Sequence, residues 1–177
     1  NREGGPSALA SALIGKTPNY GVHKPENREA NILIRVKSPL RNETDFGSLG
    51  IHVGKLLKNE VPLFEGLSNC TKDDLKQLGA GLASSGMTTM FHYQDTSRRE
   101  KLETIPVETK DIEDTIGNLS TSSESPDLIF IGCPHCSSTE IQRVAQALKG
   151  KKVKTGTELW VCTSSHVREK AKKYVNI

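Results

Sequence analysis

The sequence lacks any apolar run approaching the roughly 18 residues that a membrane-crossing helix needs. It shows no secretory signal and no internal repeat. Nor does it carry a strong charge of one sign. Its 24 basic and 21 acidic residues leave a formal +3, too little for a field that would draw nucleic acid or an anionic membrane. The clearest basic cluster, Lys149–Lys154, follows a helical pattern and reads as a solvated turn, because lysines suit the negative end of a helix. Apolar residues are also scarce, at 34%. That value is lean for a globular domain and fits a core completed in part by something outside this chain. The 177 residues suffice for one domain or a tight pair of small ones. The chain opens mid-pattern on Asn1, in NREGGPS, which reads as a fragment or an excised domain.

Cysteine is sparse, with four residues at positions 70, 133, 136 and 162. In a chain with α/β patterning this favours metal or redox chemistry over a disulfide framework. A zinc ribbon would need a second close-spaced pair, and Cys70 and Cys162 do not make one.

What is present is an alternation of strands and helices. Ser7 opens a helical run, as N-cap or first-turn residue, and Gly15 stops it. A long irregular stretch, KTPNYGVHKPENREAN, gathers Tyr20, His23, Glu26, Asn27 and Arg28, and loops that dense in hydrogen-bonding side chains often carry function. Strands are expected at Asn31–Lys37, Val61–Phe64, Met87–Tyr93, Thr104–Val107, Leu128–Ile131 and Glu158–Cys162. Helices are expected over Asp45–Leu57 with Asp45 or Thr44 as cap, from Thr71 to the Ser84-Ser85-Gly86 stop, over Asp111–Leu119, from about Ser137 to Leu148, and after Thr163-Ser164-Ser165. Asp95–Lys101 reads as helix or loop, and Ser120–Pro126 as a flexible connector. The pattern predicts a three-layer αβα fold around a mostly parallel sheet of about four to six strands. Residues 1–30 form a loop segment and 31–177 one α/β domain.

The organising stretch is Asp127–Ser138, DLIFIGCPHCSS. Four consecutive apolar residues, Leu128–Ile131, leave no face for water and predict a buried strand. It delivers Cys133 and His135 to a strand's carboxyl end, where open α/β proteins build their sites. Cys133 and Cys136 have C-x-x-C spacing, which suits a redox pair, half a zinc site, or one iron–sulfur ligand with an incidental neighbour. Two small buried cysteines in a turn would look the same.

Four blocks in order, GGPSALASALIGKTPNYGVHKPENR, LGAGLASSGMTTMFH, DLIFIGCPHCS and LWVCTSS, resemble the large subunit of the aconitase X family over nearly the whole chain. That family comprises hydro-lyases, archaeal mevalonate 5-phosphate dehydratase and cis-3-hydroxyproline dehydratase. They use an iron–sulfur cluster, expected to be 4Fe-4S, held by three cysteines, with a small swivelling domain closing the site. The resemblance implies a cytoplasmic dehydratase acting on a small hydroxy acid, mevalonate 5-phosphate foremost, with the swivel-domain subunit as partner and neither nucleic acid nor membrane. It makes Cys133 a cluster ligand, with His135 beside it as a candidate catalytic residue that could carry a proton or hydrogen-bond a sulfur. The other two ligands are expected upstream of Asn1 and shortly after Ile177, so this chain alone would not keep a cluster or be active. Cys70, Cys136 and Cys162 become incidental.

The resemblance also raises further site residues, each beside a plainer role. Asn1, Arg2, Glu3, Gly4, Gly5, Pro6 and Ser7 could cradle an anionic substrate group, or simply start a helix. Asn27 and Arg28 could bind substrate, Arg28 by pairing with a carboxylate or phosphate, while His23 or Glu26 moves protons; the alternative is a salt-bridged loop. Ser84 and Ser85 could offer catalytic hydroxyls or merely end a helix. Thr163 and Ser164 could hold an anion or only cap one, and His92 reads as a satisfied core histidine. A reading of another class is a non-catalytic α/β module that binds a small anion.

Overall fold

In the structure, a computed structural model describing residues 5–94, 101–122 and 124–175, the chain forms two compact units, one ending at Ser120 and the other starting at Thr121. The break lies in the Ser-rich connector, so the stretch 31–177 holds two units where the sequence reading places one domain. The reason is visible in the pairing: among the described residues, four strands hydrogen-bond among themselves and the last two pair with each other.

The first unit begins with α1 (Pro6–Ile14), which Pro6 opens and left-handed Gly15 closes. Gly5, not Ser7, is its N-cap, and Ser7 falls in the first turn. None of its residues is buried; Leu9, Leu13 and Ile14 are exposed. Two short 3-10 turns, Gly21–His23 and Pro25–Arg28, lead into β1 (Ile32–Val36). There follow α2 (Glu43–Leu56), β2 (Pro62–Glu65), α3 (Lys72–Gly86), β3 (His92–Tyr93), β4 (Thr104–Val107) and α4 (Thr109–Leu119). The sheet is parallel, in the order β3-β2-β1-β4, with Ile34 opposite both Phe64 and Ile105. This is the α/β architecture that the alternation predicts, at the low end of the expected strand number.

Ile32, Ile34 and Val36 alternate onto one face of β1. With Phe64 and Val107 they meet Phe46, Leu49 and Val53 of α2, Leu78 and Leu82 of α3, and Ile112 of α4 in one core. Leu33 and Leu63, on the opposite face, are fully buried too. The α2 cap is Asn42, whose side chain accepts the N–H groups of Thr44 and Asp45. The expected cap Asp45 is instead buried, receiving the Arg41 N–H at 2.9 Å and its guanidinium at 3.2 Å. Thr71 caps α3 in a reciprocal box with Asp74.

The helices α2 and α3 touch backbone to backbone. A Cβ on Gly50 would run into the Leu78 carbonyl and stand 2.9 Å from the Leu82 nitrogen. One on Gly81 would lie 2.5 Å from the Gly47 carbonyl, and one on Gly86 would strike the Gly54 carbonyl. That contact explains why Gly86 is the last helical residue and not the left-handed cap. Gly86 stays helical because only glycine fits there, and the left-handed cap passes to Met87, at φ 52°. The strand expected over Met87–Tyr93 is consequently reduced to its last two residues. Of the expected segment Asp95–Lys101, residues 95–100 lie outside the described residues.

The second unit is β5 (Leu128–Ile131), α5 (Ser138–Leu148), β6 (Glu158–Val161) and α6 (Ser165–Ala171). Ser137 caps α5 in a box with Glu140, and β5 pairs with β6 in parallel. Cys136, Ile141 and Ala171 form its small core, flanked by Val161, Val167, Tyr174 and Val175. The expectation of a buried β5 fails here. All four residues are exposed, Phe130 by 51%, because a sheet of two strands leaves an edge and much of both faces without a neighbour. No described helix is long and apolar enough to cross a membrane.

If backbone contact governs the first unit, Gly50→Ala should cost about 1–3 kcal/mol or more, and Thr71→Ala about 1 kcal/mol. Urea unfolding of the intact protein, followed by circular dichroism, measures both. An unshifted Gly50→Ala midpoint would contradict the contact.

Candidate functional site

The irregular loop before β1 is held by its own polar side chains. The Asn27 amide donates to the Gly21 carbonyl at 2.9 Å. Arg28 Nε donates to the Val22 carbonyl at 2.6 Å, and its Nη2 to the His23 carbonyl at 3.2 Å. His92 Nε2 lies 2.6 Å from the Arg28 carbonyl; facing a carbonyl, that nitrogen must carry the proton. So His92 is satisfied, as the sequence reading has it, but half-buried and not in the core, and it pins the loop to β3.

Glu26 and Asn27 line a cavity of about 440 Å³ with Glu29, Asn31, Lys58, Glu60, Thr88 and Thr89. This cavity lies at the amino ends of β1 and β2, since Asn31 and Val61 immediately precede them, and the Asn31 side chain accepts the Val61 N–H at 2.8 Å. Glu60 accepts the N–H groups of Lys58 and Asn59 at 2.7 and 3.0 Å. The Lys58 hydrogen bond, foremost, holds its carboxyl below the ordinary glutamate value. The sequence reading misses Lys58, Glu60, Thr88 and Thr89, because they reach the cavity only where α2 and α3 deliver the chain back to the sheet. Among the loop candidates, His23 is half-buried, and Glu26, Asn27 and Arg28 are exposed.

Other candidates are placed elsewhere. Ser84 and Ser85 both donate to the Gly81 carbonyl, at 3.2 and 2.7 Å, and Ser85 also faces the Gly50 carbonyl at 3.4 Å. Their hydroxyls belong to the last turn of α3 and its packing on α2, which does not favour a catalytic role. Gly5 and Pro6 start α1, and Asn1, Arg2, Glu3 and Gly4 lie outside the described residues. Ser164 caps α6 by accepting the Val167 N–H. The Thr163 hydroxyl donates to the Cys136 carbonyl at 2.6 Å.

In the second unit the turn after β5 presents an exposed Cys133, joined to Pro134 by a cis peptide bond, and an exposed His135. His135 also rims an apolar groove of about 620 Å³ between α5, β6 and α6. Cys136 is buried and Cys162 half-buried. Burial pushes the Cys70 thiol up, and the Asp74 carboxylate adds to that. Cys133 is therefore the thiol best placed to meet a ligand or metal. Among the described residues no three His, Cys, Asp or Glu side chains gather as a metal site. They fit one ligand of an iron–sulfur cluster, not a complete set.

These features define an α/β protein that offers a single exposed strand-end thiol. Residues 30–117 match the family model of the aconitase X second domain, and residues 126–177 that of the third. The chain belongs to the aconitase X family. It is 43% identical to the phosphomevalonate dehydratase large subunit of Methanocaldococcus jannaschii, over 95% of this chain and 45% of that protein. A cis-3-hydroxy-L-proline dehydratase of Hypocrea jecorina is 30% identical, over 81% of this chain and 27% of that protein. The crystal structure of holo-form aconitase X from Thermococcus kodakaraensis superposes with a TM-score of 0.87 at 39% identity, covering 99% of this chain and 48% of that one. The chain thus spans under half the length of the relatives it matches.

Alkylation of the intact apoprotein with iodoacetamide, read by mass spectrometry, should label Cys133 first and Cys136 last. Cys136 reacting as fast as Cys133 would contradict the turn geometry.

Proposed function

We propose that this chain is part of the large subunit of an iron–sulfur-dependent hydro-lyase that dehydrates mevalonate 5-phosphate. Its partner is a small swivel-domain subunit, and it works in the cytoplasm. The observation that carries the substrate is the 43% identity to a phosphomevalonate dehydratase large subunit, against 30% to a cis-3-hydroxy-L-proline dehydratase. The latter reaction is the second reading, supported by shared family membership. The partner follows from the relative's designation as a large subunit.

When bound, the cluster supplies a Lewis acid for the departing hydroxyl. Cys133, exposed in the turn between β5 and α5, is the residue of this chain that would ligate it. In the loop, two of the five Arg28 N–H donors are engaged with backbone carbonyls. That orients the guanidinium and leaves donors for a substrate carboxylate or phosphate. Glu26 is an exposed carboxylate at the cavity wall and a candidate to take the proton from the carbon beside the substrate carboxylate. Its neighbour Asn27 is anchored to Gly21, so the pair is presented on a stiffened loop.

The test is turnover by the complete two-subunit enzyme, reconstituted anaerobically with iron and sulfide. Mevalonate 5-phosphate should be dehydrated and cis-3-hydroxy-L-proline should not. Turnover of only the hydroxyproline would replace the substrate, and turnover of neither would favour a non-catalytic anion-binding module. Arg28→Lys, which loses the planar fork, should raise KM by at least about tenfold.

A further inference from the structure

The turn that carries Cys133 is fastened at both ends to one short piece of β6 and its exit. At the entry, the Cys162 N–H donates to the Ile131 carbonyl at 2.8 Å. At the departure, the Cys136 N–H donates to the Cys162 carbonyl at 2.9 Å, and the Thr163 hydroxyl donates to the Cys136 carbonyl at 2.6 Å. Only Gly132, Cys133, Pro134 and His135 span the gap, with Cys133 exposed among them.

The fit at the entry is tight. Gly132 has φ 142°, and a Cβ there would lie 2.6 Å from the Cys162 Cβ, 2.7 Å from its carbonyl oxygen and 2.9 Å from its nitrogen. The turn therefore rests against the main chain of Cys162 with no room for another side chain. A hydroxyl has one proton to give, and Thr163 gives it to this turn.

We infer that Thr163 is a positioning residue, whose hydroxyl, acting through the Cys136 carbonyl, sets where Cys133 stands; the inference rests on the reading of Cys133 as a cluster ligand. Valine at this position keeps the shape, removes the donor and leaves the Cys136 carbonyl without that partner. Serine keeps the donor. The clamp holds Cys136 inside and Cys133 outside, so loosening it exposes the first and lets the second wander.

The experiment compares wild type, Thr163→Val and Thr163→Ser in the full-length enzyme. In the apo form, Thr163→Val should raise the rate of Cys136 alkylation by about 2- to 10-fold, as expected for one lost hydrogen bond. Cys70 labelling should stay constant. In the reconstituted form, Thr163→Val should lose iron to a chelator faster by a similar factor, and Thr163→Ser should match wild type in both assays. Wild-type behaviour of Thr163→Val overturns the inference, as does a serine variant no better than valine. Faster Cys136 labelling without faster iron loss also overturns it, because the clamp would then hold the turn without placing Cys133. A reconstituted wild type that gains no iron–sulfur absorption would instead remove the ligand reading, and with it the positioning role.

Discussion

The first unit depends on the backbone contact between α2 and α3. Helices in ordinary contact are held apart by their side chains, at 8–10 Å between axes. Here Gly50 and Gly54 face Gly81 and Gly86 with no intervening Cβ, and the two crossovers β1-α2-β2 and β2-α3-β3 are drawn together. The consequence reaches the cavity. The chain leaves α2 through Lys58 to Glu60 and leaves α3 through Met87 to Thr89, and both exits line the cavity wall. A larger residue in the glycine face would push those exits apart before it disturbed any loop residue. Ser85 takes part in the same packing by lodging where a Gly54 side chain would point.

The two candidate pieces follow different logic. In the second unit, a thiol stands at the carboxyl end of a parallel strand, before a capped helix, where α/β proteins place reactive groups. In the first, the cavity lies at the amino ends of its strands, and a loop outside the sheet supplies Glu26 and Asn27. At the carboxyl ends of β1 and β4, where strand order reverses, Lys37 and Glu108 instead pair at 2.7 Å. The loop owes its shape to internal hydrogen bonds, so it is built to hold position, as a site requires.

Much of this was legible in the residues. The alternation of apolar strands with capped helices predicts the α/β class, and the Thr71 and Ser137 boxes mark their helix starts. The GCPHC stretch announces a thiol at a strand's end, and the structure adds that it is exposed. What escapes the sequence is whatever depends on distant partners. Gly50 and Gly81 read as weak points in helices until the opposing backbone is seen. Leu128–Ile131 is apolar enough to be buried, but burial needs neighbours, and this chain supplies one strand. Ser85 and Thr163 look like free hydroxyls, while the structure gives each a backbone carbonyl. Lys58 and Thr88 carry no local mark, since only the crossover geometry brings them to one wall.

The most direct measurement is the iron–sulfur absorption of the full-length enzyme after anaerobic reconstitution, for Cys133→Ser beside Cys136→Ser. Cys133→Ser should lose the cluster and Cys136→Ser should keep it, since the Cys133 thiol is exposed to meet iron and the Cys136 thiol is buried. A cluster that survives the first change, or vanishes only with the second, would contradict the account.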